Sequence, residues 1–261
     1  MTLMTGKLPA KHDNRTLLMY NVVDHAALPA PHDDVDWFAP LPEDMGMMGN
    51  DVAGNCGACG LAHLIQVWTA ANGHPITLTT EEAIGLYKIL TKEANGVEYD
   101  PNDPTTDTGL VLLDVLTYWR KIGFVIRGVL HKIGAFVKVN HHNVLEMRQA
   151  IEWFGGVYTG VALPQAAMDS VGHLWDEHAA SGPVAGGHCM TAAKSRKGSG
   201  ITYVTWGRRQ DGTWGWMLAC TDEAYAIISQ EWCDGSKTAP SHLDIAKLRA
   251  YLVAIDAQSS R

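Results

Sequence analysis

"GNDVAGNCGACGLAHLIQVW", Gly49 to Trp68, is the stretch that decides how the chain is read. It sets Cys56 and Cys59 three positions apart, ahead of apolar residues at Leu61, Leu64, Ile65, Trp68 and Ala71. That spacing is helical, and Gly73 is a stop signal just beyond Asn72. The first turn of a helix offers free N–H groups and the positive end of the helix dipole. Both favour a thiolate. A nucleophile, a redox pair, a metal corner and inert packing are the readings left open by these residues alone.

The rest of the chain narrows them. A thioredoxin-like redox pair needs an early βαβ unit, and the sequence ahead of Cys56 is loop-like. The twelve histidines are scattered, with His141-His142 the only adjacent pair, and no zinc-ligand spacing occurs. No metal and no cofactor are therefore expected. Five cysteines in 261 residues are too few and too odd in number for a disulfide framework, so the thiols are expected to be reduced, as in a cytoplasm. A net charge of −8 argues against nucleic-acid or anionic-membrane partners. No apolar run approaches a membrane span, and Leu17 to Tyr20 is too short for a secretory signal.

Helical signals dominate the first half. Thr79-x-x-Glu82 is a capping box opening a helix through about Thr91. Asp107 is placed to cap a helix from Leu110 to Ile122 that stops at Gly123, and Asn143-x-x-Glu146 starts another that ends at Gly155. The acidic loop at Asp100, Asp103 and Asp107 reads as a capped turn rather than a calcium site. Strand signals follow at Val157 to Leu163, His188 to Ala193, Ile201 to Trp206, Trp216 to Ala219 and Tyr225 to Ser229. Ser241-x-x-Asp244 caps a last helix, to about Ala254. Residues 1–34 are expected to form a docked arm containing one short strand, Thr16 to Val23. Helices first and strands later predict an α+β fold with two facing lobes.

A cysteine nucleophile needs a base. His188 follows Gly186-Gly187 at the start of a predicted strand, and these glycines let backbone and substrate approach closely. His188 lies 132 positions after Cys56 (188 − 56), within the roughly 130–150 residues that separate the pair in papain-type enzymes.

Here the chain resembles the papain-like cysteine peptidases. The resemblance is carried by "VDW" at Val35, "CGAC" at Cys56, "NHHNVLEMRQAIEWFGGVYTGVALP" from Asn140, "GGHCMTAAK" from Gly186, "YVTWG" from Tyr203 and "AYAII" from Ala224. It is closer still to papain-fold proteins of bacteriophages and prophages, which share Gly49-Asn50-Asp51-x-x-Gly54-Asn55-Cys56, Gly186-Gly187-His188 and Val204-Thr205-Trp206-Gly207. The resemblance implies an α+β, papain-like two-lobed fold: a helical lobe over about residues 50–155 and a twisted antiparallel β lobe over about 156–240. Together with Val35 these make a domain of residues 35–240, followed by a C-terminal helix within 241–261. The 34 residues ahead of it are shorter than the inhibitory prodomain common in the family.

The same resemblance frames the site. The general pattern C-G-[SA]-C-[WY] would make Cys59 the nucleophile, but expects an aromatic at Gly60 and a glutamine at Ala53. The phage-type pattern makes Cys56 the nucleophile, with Asn50 supplying the oxyanion amide from six positions earlier. Cys56, His188 and Asn50 are thus the favoured catalytic set, and Cys59 is the alternative nucleophile. The histidine-orienting asparagine of the family falls on Val204, which cannot hydrogen-bond. Thr205 is the candidate substitute and Trp206 the shielding residue. Two functions follow: a thiol hydrolase acting on a peptide or protein substrate, or a catalytically degenerate structural or binding component of a phage particle. Host cytoplasm is the expected location, with incorporation into a virion, among other phage structural proteins, under the second reading.

Overall fold

A computed structural model describes residues 3–22 and 30–229. The predicted helix after Ser241 and the fifth cysteine, Cys233, lie outside these residues. The elements run α1 (Met19–Val22), β1 (Asp34–Asp36), α2 (Cys56–Ala71), α3 (Thr80–Asn95), α4 (Leu112–Lys121), β2 (Phe124–Ile126), β3 (Val129–His131), β4 (Ile133–Lys138), α5 (Val144–Phe154), β5 (Val157–Pro164), α6 (Gln165–Asp169), β6 (Val184–Arg196), β7 (Gly200–Thr205), β8 (Arg208–Gly212), α7 (Trp214–Cys220) and β9 (Thr221–Ser229). Among the described residues seven strands form one sheet in the order β4-β9-β5-β6-β7-β8, with β1 also on β6; every pairing is antiparallel.

Helix α2 is the axis of the molecule. All its residues from Cys56 to Ala70 are buried, because it runs between the other helices and the sheet. Glycines let it lie close to the sheet. A Cβ on Gly60 would crowd Cys189 Sγ at 2.8 Å and the Tyr158 ring at 2.9 Å. Two buried hydroxyls fasten the contact: Tyr158 Oη donates to Gly57 O at 2.7 Å, and Thr191 Oγ1 donates to Gly60 O at 2.7 Å. The capping box at Thr79 and Glu82 starts α3 as predicted, and Asn143 caps α5.

Some predicted elements differ. The described part of the strand predicted over Thr16 to Val23, residues 16–22, is not a strand: Leu18 bridges Lys138, and the chain then turns into α1. Leu18 and Tyr20 are 48% and 70% exposed while Met19 is buried, so no continuous ladder sustains a strand. Trp216–Ala219 belongs to helix α7, because Thr213 caps the Trp216 N–H and Trp216, Met217 and Cys220 are buried at helical spacing. Asp107 does not cap α4. It reaches across to accept from Gly54 N at 2.9 Å and from the Tyr87 hydroxyl at 2.5 Å. Strand β4, within the stretch read as helical, crosses to pair with β9. His131 is buried at the end of β3.

Candidate active site

Cys56 is the first residue of α2. Its predecessor Asn55 makes no side-chain cap, and instead sends Nδ2 to Met48 O at 2.9 Å. The first-turn N–H groups are therefore left for other acceptors. Burial acts most strongly on the Cys56 thiol and raises it, while the nearby amides of Cys189, Gly6 and Gly57 and the Lys7 cation favour its thiolate. Burial outweighs them, and the thiol is pushed up to about 11.

His188 precedes Cys189 on β6, so the amide that meets Cys56 belongs to the histidine's own neighbour. The imidazole is wholly buried, and desolvation holds its pKa down at about 3. It is a neutral ring here. Nε2 lies 2.6 Å from Thr205 Oγ1, and Trp206 stacks on the ring at 4.3 Å between centroids. Among the described residues Nδ1 has no hydrogen-bond partner. Counting along the sequence lands on Val204, but the β6–β7 pairing shifts by one residue between Ala192 and Lys194. Val204 is in the core and Thr205 meets the ring. A one-residue offset exchanges the faces of a strand, which is why counting misplaced the partner. A threonine hydroxyl both donates and accepts, so it suits either imidazole tautomer, whereas an asparagine oxygen accepts only.

Asn50 is 2% exposed and donates one amide hydrogen to Ala53 O at 3.1 Å. Cys59 turns its thiol toward the loop before the helix, donating to Met48 O at 3.6 Å. With no room for a Cβ at Gly60, the aromatic expected after a Cys59 nucleophile cannot be accommodated there.

The cleft is filled by the chain's own arm. Met4 N donates to Asn50 O (3.1 Å), Gly6 N and Lys7 N to Gly187 O (3.2 and 2.9 Å), and Leu8 N to Leu110 O (2.9 Å); Leu110 N returns a bond to Gly6 O (2.8 Å). Trp206 Nε1 donates to Met4 O at 3.1 Å. Glycine makes this seating possible. A Cβ on Gly6 would overlap the Gly54 carbonyl, and Cβ atoms on Gly109, Gly186 and Gly187 would overlap the arm itself. The close approach expected beside His188 is therefore made by Thr5 and Lys7.

Comparison with solved structures places this architecture. Xylellain, a cysteine protease from Xylella fastidiosa, matches with a TM-score of 0.64 at 14% identity, over 87% of this chain and 96% of that one. Procathepsin B from Trypanosoma congolense matches at 0.57 and 11% identity, over 87% of each chain. The cysteine protease CMS1MS2 of Carica candamarcensis, in complex with E-64, matches at 0.53 and 13% identity, over 77% of this chain and 99% of that one. The fold is papain-like. No protein-family model and no curated protein matches the sequence.

Within this papain-like fold, sequence reasoning missed the residues that occupy the cleft. Lys7 is buried, with Nζ 2.9 Å from Asp222 Oδ2 and 3.2 Å from Glu223 Oε1. The arm is expected to dock, but "TGKLP" (Thr5 to Pro9) carries no periodicity that would say where. The one available signal was the number of glycines later found to line its path. Among the described residues no cluster of metal-ligating side chains is present.

Proposed function

We propose that the chain is a cysteine peptidase or amide hydrolase held closed by its N-terminal arm. The observation that carries this reading is the Cys56 thiol at the start of α2, met by the amide of Cys189, with His188 next along the strand and held by Thr205 and Trp206. Once the arm leaves, Cys56 Sγ attacks a substrate carbonyl and its proton passes to His188. The carbonyl oxygen becomes an oxyanion facing the Cys56 amide and the Asn50 side chain. Collapse breaks the C–N bond as His188 returns the proton to the departing amine, leaving a thioester that water then hydrolyses. The seated arm opposes this chemistry, because a dry site favours the neutral thiol and neutral imidazole over the ion pair.

A second reading is favoured by the filled cleft: a papain-fold structural or binding component of a bacteriophage particle, working in the virion with other phage proteins and without turnover. The two readings separate in the full chain carrying Gly6→Val, which prevents the arm from seating. Hydrolysis of a mixed peptide pool by that variant, lost on adding Cys56→Ala, is the result expected of a peptidase. No turnover by a folded, open variant would favour the particle component, and turnover that survives Cys56→Ala would overturn Cys56 as the nucleophile.

A further inference from the structure

The arm does more than block the cleft: its one buried cation sits in a pocket built for such a group. Lys7 is 1% exposed at its side chain, and its ammonium lies between Asp222 and Glu223 and donates to Leu8 O at 3.1 Å. Glu223 is itself fully buried, and its other oxygen accepts from Tyr225 Oη at 2.9 Å, which fixes the carboxylate. Gly160 forms the floor, where a Cβ would overlap the Lys7 stem and crowd Glu223 Cγ. Asp222 is 36% exposed at its side chain, so the pocket opens to solvent on that side. Buried carboxylates lose hydration that a neutral occupant would not replace, and a cation with several N–H donors restores it.

We propose that Asp222, Glu223 and Gly160 form a specificity pocket for the side chain of a lysine or arginine in a peptide, and that Lys7 is its resident mimic. As a statement about substrate this rests on the peptidase reading; as a statement about binding it does not. Arginine fits for a further reason: Asp222 Oδ1 is buried without a hydrogen-bond partner among the described residues, and a guanidinium brings more donors than an ammonium.

The test uses full-length protein with the arm unseated by Gly6→Val, or by Lys7→Glu should the first variant fold poorly. The probe is the free heptapeptide of residues 3–9, Leu-Met-Thr-Gly-Lys-Leu-Pro, titrated calorimetrically beside versions with arginine, glutamine or glutamate at its lysine. Lysine and arginine peptides should bind at least tenfold more tightly than the glutamine peptide, and the glutamate peptide most weakly. Adding Asp222→Asn and Glu223→Gln together should erase the ranking. Equal affinities for the lysine and glutamine peptides, or a ranking that survives the double substitution, would overturn the pocket. Turnover is read separately on peptides scanned with lysine or glutamine at each position. Charge-selective binding without Cys56-dependent turnover would leave the pocket standing and reject the peptidase reading.

Discussion

Two regions of this molecule are equally dry and differently held. Behind the sheet, Trp175 and Trp216 pack with ring centroids 4.6 Å apart, Tyr203 meets Trp216 edge-on, and Trp175 Nε1 donates to Ala167 O. Interlocking side chains exclude the water there. In the cleft, Cys56 and His188 are just as buried, but what covers them is backbone: the arm from Met4 to Leu8 lying on glycines. Burial behind the sheet belongs to the fold itself. In the proposed reading, burial in the cleft belongs to a segment that leaves by breaking a short run of hydrogen bonds and one ion-paired lysine. That reading makes the shifted thiol and imidazole conditional features and the aromatic core a permanent one.

That contrast can be strained from several sides. Trp216→Ala should have the largest effect on stability, lowering it by about 3–5 kcal/mol through loss of a buried indole. Thermal unfolding should shift strongly while Cys56 and Cys59 keep their relative reactivity below the transition. Selective exposure of Cys56 in this variant would mean that cleft and core are not independent.

Acid should act next. His188 is held down at about 3 and His63 at about 4, both mainly by burial, against an ordinary value near 6.5. Between those folded values and 6.5 the unfolded chain binds protons that the folded chain does not. Stability is then full above about pH 6.5 and falls as pH drops toward 4, by at most about 1.4 kcal/mol per pH unit for each histidine. In Gly6→Val the His188 share should shrink, because water reaches the ring, while the His63 share persists. Denaturant titrations of both proteins between pH 7 and 4 measure the difference, and identical slopes would contradict a conditional cleft.

The smallest of these effects is local. Thr205→Val removes the partner of His188 Nε2 and strands a buried ring nitrogen, which costs about 1–2 kcal/mol. Denaturant midpoints measure this, and Thr205→Ser should restore most of the loss because the hydroxyl, not the methyl, satisfies the ring.

How far the sequence revealed this arrangement depends on the kind of signal. The helix after Cys56 and the capping box at Thr79 were legible because helical periodicity and capping chemistry are local. The α+β order was legible for the same reason. Thr205 could be named as the substitute for Val204, but the one-residue bulge between β6 and β7 that brings it to the ring leaves no local mark. Helix α7 was misread because alternating large and small residues from Trp214 imitate a strand until Thr213 is seen to cap it. Spacing and resemblance name Cys56, His188 and Asn50 as candidates for the proposed chemistry. Lys7, Asp222 and Glu223 could not, because their meeting joins opposite ends of the described chain.

The central claim is that Cys56 is inert because the arm dries it, and the direct measurement is its rate of alkylation by iodoacetamide at neutral pH, followed by peptide mass spectrometry. Burial raises the thiol from 9.0 to about 11, which suppresses thiolate by about 100-fold. Gly6→Val and Lys7→Glu should therefore each speed alkylation of Cys56, by at most about 100-fold because the Gly6 amide and Lys7 cation that favour the thiolate leave with the arm, with Cys59 and Cys189 unchanged, and adding His188→Ala should take back part of that gain. An unchanged Cys56 rate in both folded variants, or an equal rise at Cys59, would contradict the account.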